Sequence, residues 1–68
     1  MAKDPVSTLF ELTDEIVELD RTQYLVDRSR QLHPTDQMVQ LAMDRRQAEI
    51  DRKRTLIAVM MADIRSRN

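Results

Sequence analysis

The sequence predicts an all-α fold: an antiparallel two-helix hairpin that dimerises into a four-helix bundle or coiled-coil assembly. Three observations carry that expectation. The 68 residues contain no glycine and only two prolines, Pro5 near the start and Pro34 close to the midpoint. Proline lacks the backbone N–H and pushes the residue before it out of the α region, so His33-Pro34 interrupts a chain otherwise free of helix breakers. Apolar residues recur at helical spacing on both sides of the break. Finally, 41% of residues are apolar, 34% charged and 3% aromatic, a balance that suits a bundle or coiled coil better than a mixed fold.

The first helix is expected over about residues 5–32. Asp4-Pro5 fits an N-cap followed by proline at the first helical position, where the missing N–H costs nothing. Thr8 and Glu11 offer a competing start, a capping box with the required spacing. Leu9, Phe10, Leu12, Ile16, Val17 and Leu19 cover about half the circumference at 100° per residue, more than one neighbouring helix can hide. Beyond Val26 the helix turns polar through Asp27, Arg28, Ser29, Arg30 and Gln31.

With the turn at residues 33–34, the second helix is expected over about residues 34–66. Pro34 or Asp36 falls in its first turn, Thr35 is a possible cap, and Asp36 suits the positive end of the helix dipole. Arg65 and Arg67 suit the negative end. Met43, Ile50, Ile57 and Ile64 recur every seven residues, a true heptad column. The column three residues on holds Val39, Arg46, Lys53 and Met60, so a seam built on it is apolar only at its ends. The run Leu56 to Ala62 is apolar on every side of the helix.

Folding at the break places residue i opposite about 67 − i, with Asp14 and Glu15 facing Lys53 and Arg52 and Asp20 near Arg46. Residues 1 to 32 carry four basic and seven acidic side chains, and residues 33 to 68 carry seven and five, a complementarity that favours antiparallel arms. In this register Leu12 to Leu19 meet the charged middle of the second helix. Large apolar side chains stay wet, each forgoing about 1.5–3 kcal/mol of burial. A second copy packing as a four-helix bundle covers them.

The whole chain, residues 1–68, reads as one helical-hairpin domain. Cysteine is absent and His33 is the one histidine, so disulfides, thiolate sites and multi-histidine zinc sites have no ligands. No cofactor or metal is expected. Net charge is −1, which draws the chain to neither nucleic acid nor membrane. The longest apolar run is far short of a membrane span, and MAKDPVSTLF lacks the features of a signal peptide. The expected location is the cytoplasm.

The expected function is non-enzymatic protein binding, of adaptor, chaperone or inhibitor type, through apolar helix faces that dock on a second copy and on a partner protein. Leu9, Phe10, Leu12, Ile16, Leu56, Ile57, Val59, Met60, Met61 and Ile64 are the candidate interface residues. Met60 and Met61 add adaptable thioethers. The alternative is a dimeric RNA- or DNA-binding regulator using Arg45, Arg46, Arg52, Lys53 and Arg54 as phosphate contacts. Against it stand the interleaved Asp44, Glu49 and Asp51 and the scarcity of aromatics to stack bases. His33 reads as a solvated turn residue, and Tyr24 as a core-edge residue with its hydroxyl in water. No carboxylate has the surroundings that raise a pKa for acid catalysis, and no glycine is present for a phosphate loop.

Leu12, Ile16, Leu19-Asp20 and Arg30 resemble the opening helix of the all-helical chorismate mutases. That resemblance implies a substrate-carboxylate role for Arg30. The chain departs from the pattern at Thr13 or Asp14, where a basic residue belongs, and in lacking a third helix to close a pocket. In outline it is also similar to plasmid copy-control RNA-binding dimers and to needle or co-chaperone subunits of type III secretion. A proline-and-aspartate turn is shared with the needle subunits, and the second alternative function is such a subunit.

Overall fold

The computed structural model describes residues 4–67. Helix α1 spans Pro5–Leu32 and helix α2 spans Gln37–Ser66, and the two pack against each other over a body 49 × 18 × 15 Å. Between the two possible starts of α1, Asp4 and Pro5 prevail. The Asp4 carboxylate accepts the Val6 N–H at 3.1 Å. Thr8 lies inside the helix, where its hydroxyl donates back to the Asp4 carbonyl at 3.3 Å.

The turn is longer than expected, and α2 begins at Gln37 instead of Pro34. Asp36 is the cap, not Thr35: its carboxylate accepts the Met38 and Val39 N–H groups at 3.0 and 3.2 Å. One side chain thus satisfies two of the donors that a helix start leaves without partners. The backbone of His33 organises the reversal. Its N–H donates to the Ser29 carbonyl at 3.1 Å, while its own carbonyl accepts the Asp36 N–H at 3.3 Å and the Gln40 side-chain amide at 2.9 Å. The imidazole itself is exposed.

A later helix start shifts the register. Gln23 lies across from Gln47, not Asp44, and Arg30 bonds Gln40 at 3.0 Å, not Gln37. Asp20 pairs with Arg54 at 2.8 Å, about two turns along α2 from the Arg46 expected. The hairpin folds about the centre of the His33–Asp36 turn, not about the His33-Pro34 bond. In this register the aliphatic face of α1 meets Ile50 and Ile57 of α2, while Lys53 stays at the flank of the seam. Leu12, Leu19, Val26, Ile50 and Ile57 form the buried core, with Ile16, Met43, Met61 and Ile64 packed against it.

Every core position on both helices follows alternating three- and four-residue steps. On α1 the seam runs Leu9, Leu12, Ile16, Leu19, Gln23, Val26 and Arg30; on α2 it runs Gln40, Met43, Gln47, Ile50, Arg54, Ile57, Met61 and Ile64. All fifteen are buried or half-buried, the pattern of two helices meeting along one heptad seam. The Met43–Ile64 column is therefore central, as the sequence predicts. Its companion column is Gln40, Gln47, Arg54 and Met61, not Val39, Arg46, Lys53 and Met60. Hydrophobicity alone could not choose between them, because each is apolar in part. The cross-helix partners available to Gln47 and Arg54 on α1 make the polar column tolerable inside the seam.

Candidate protein-interaction surface

The ten candidate interface residues divide into three groups. Leu12 and Ile57 are buried in the seam between α1 and α2. Leu9, Ile16, Met61 and Ile64 are half-buried along its edges. Phe10, Leu56, Val59 and Met60 are exposed. The run Leu56–Ala62 thus splits as its all-round apolar character implies: Ile57 and Met61 face α1, and the other five residues are exposed.

Further exposed apolar side chains lie outside that set: Val6, Val17, Tyr24, Leu25 and Leu32 on α1, Met38 and Leu41 on α2. Tyr24 does not sit at a core edge; it is 64% exposed. The signal that finds two of these, Val17 and Tyr24, is a second seven-residue spacing that starts at Phe10. It lies about 160°, nearly half a turn, away from the Leu12–Leu19 column at 100° per residue. Two shallow features accompany this surface. Val17, Tyr24 and Leu25 border an apolar depression on α1 with Asp20 and Arg21 at its rim. A cleft between the helices is lined by Leu12, Leu56, Ile57 and Met60 beneath Thr8, Glu11, Glu15 and Lys53.

The basic residues of α2 do not form one face. Arg54 turns toward α1 and pairs with Asp20 at 2.8 Å. Lys53 lines the cleft that holds Glu11 and Glu15, and a neighbouring one that holds Asp14 and Glu18, the acidic setting expected for it. Arg45, Arg46 and Arg52 are exposed. Arg30 is held by Asp44 at 2.7 Å and Gln40 at 3.0 Å, so its guanidinium already binds a carboxylate of its own chain. Among the described residues no side-chain polar atom is buried without a partner, and no group of His, Cys, Asp or Glu is placed to hold a metal. No helix among them is long and apolar enough to cross a membrane.

Seam and surface together define a two-helix hairpin whose inner faces are satisfied and whose outer faces carry large apolar side chains. No protein-family model, curated protein or solved structure matches the chain.

Proposed function

We propose that this chain is a small non-enzymatic protein-binding module, of adaptor, chaperone or inhibitor type, that acts by docking its outer helix faces on a second copy and on a partner protein. The carrying observation is the imbalance between core and surface. Among the described residues five apolar ones are buried, while eleven large ones, from Val6 to Met60, are between 45% and 75% exposed. Scattered exposed apolar residues are ordinary, but contiguous ones on an otherwise charged helix mark a contact surface. The core is thin, the sequence has no cysteine for a disulfide, and no group among the described residues is placed to hold a structural metal, the usual supports of small domains. Association supplies what is missing.

Light scattering on the purified chain at low and high salt tests the reading. Apolar docking keeps the measured mass above that of one chain at both salts, because apolar burial does not weaken as charges are screened. A mass of one chain throughout contradicts it.

A further inference from the structure

Resting on that protein-binding reading, we infer that the self-docking surface is the Phe10–Val17–Tyr24 stripe of α1, and that two copies meet there antiparallel about a two-fold axis near Val17. The chain holds one phenylalanine, one tyrosine and no tryptophan, and neither aromatic enters the core. Phe10 and Tyr24 stand 67% and 64% exposed on the same stripe as Val6 and Val17. At 100° per residue these four lie within an arc of about 40°, a line of apolar side chains about 27 Å long. Aromatic residues are what the centres of protein interfaces favour. The exposed apolar residues of α2 are not continuous: Met38 and Leu41 are separated from Leu56, Val59 and Met60 by Arg45, Arg46, Arg52 and Lys53.

Charge and shape choose the occupant and its direction. Asp14 and Arg21 border the stripe on one side, seven residues apart and both exposed. Antiparallel pairing about an axis at Val17–Glu18 brings Asp14 beside Arg21 of the partner subunit, twice over. A parallel pairing would stack Asp14 on Asp14 and Arg21 on Arg21. The same antiparallel register brings Phe10 of each copy to the level of Tyr24 and Leu25 of the other. There the surface is concave and apolar, between Val17, Tyr24 and Leu25. Each subunit thus offers both the knob and the hole, as an isologous interface requires.

The chain contains no cysteine, so the Val17→Cys variant carries one thiol at the axis, and Val59→Cys on α2 carries one away from it. Mild oxidation should convert the first to a covalent dimer and leave the second largely uncrosslinked. Asp14→Arg and Arg21→Asp should each weaken self-association by about tenfold, as two exposed pairs become repulsive. An equimolar mixture of the two should recover the wild-type affinity, since the mixed dimer restores both pairs. A dimer that crosslinks through Val59→Cys and not Val17→Cys, or a mixture no tighter than its components, overturns this interface and leaves the protein-binding reading intact. A wild-type chain that is monomeric at every concentration overturns both.

Discussion

Gln23 and Gln47 face each other across the hairpin and exchange two amide hydrogen bonds, 2.6 and 2.8 Å long, at a level where the heptad pattern of each helix would accept an aliphatic residue. Each glutamine is also tied to a carboxylate one turn away on its own helix, Gln23 to Asp27 at 3.1 Å and Gln47 to Asp51 at 3.0 Å. A polar pair inside an apolar seam has few alternative partners, so it penalises slippage of one helix past the other.

Removing one partner therefore costs stability, and removing both costs uniqueness. Gln23→Leu leaves the Gln47 amide half-buried with two bonds fewer and should lower stability by about 1–3 kcal/mol in urea unfolding. The double change Gln23→Leu with Gln47→Leu should raise the urea midpoint, because the seam becomes aliphatic. That double variant should also show more than one set of backbone NMR resonances, from hairpins in shifted registers. One sharp set of resonances would show that the pair does not set the register.

Ile50 is only 2% exposed at the middle of the seam. Ile50→Ala should cost about 2–5 kcal/mol, enough to abolish cooperative unfolding in so small a core. Leu41, 57% exposed, is the control: Leu41→Ala should stay within about 0.5 kcal/mol of wild type. Circular dichroism during thermal unfolding reads both.

The Asp36 carboxylate caps two N–H groups at the start of α2 and holds the turn that sets the register. Asp36→Ala should cost about 1–2 kcal/mol, and Asp4→Ala, which removes a single side-chain bond at the start of α1, about 0.5–1 kcal/mol. Equal losses would mean that the turn contributes nothing beyond an ordinary cap.

Much of this was legible in the residues, for reasons that differ by element. Pro5 and Pro34 mark the helix limits because proline restricts the backbone locally, whatever packs around it. The Met43–Ile50–Ile57–Ile64 column announces the buried face of α2 because a seven-residue repeat survives any small change in register. The register itself was not legible. It depends on whether Pro34 or Asp36 opens α2, and hydrogen bonds from the Met38 and Val39 N–H groups decide that. The companion column was hidden for a related reason, since Gln47 and Arg54 look like surface residues until Gln23 and Asp20 are placed opposite them. The outer stripe was not separated from the seam, because Phe10 and Val17 were read with Leu9, Leu12, Ile16 and Leu19 as one wide apolar face.

Electrostatic contacts play a secondary part. In the Asp20–Arg54 and Arg30–Asp44 pairs the arginines are half-buried at the seam but the carboxylates are exposed, so each pair contributes about 0–1 kcal/mol. Arg54→Ala should accordingly leave the unfolding midpoint nearly unchanged. A labelled short RNA should show no anisotropy change with the chain at about 0.15 M salt, because Arg54 and Lys53 sit among carboxylates and three exposed arginines remain. Tight binding that falls steeply with added salt would instead favour the nucleic-acid reading.

The central claim is that one hairpin covers too little of its apolar surface to be stable alone, so that folding and association are coupled. The dependence of thermal midpoint on protein concentration tests it most directly. Raising the concentration about a hundredfold should raise the midpoint by roughly 5–10 °C. A midpoint that does not move, for a chain that sediments as a folded monomer, would contradict it.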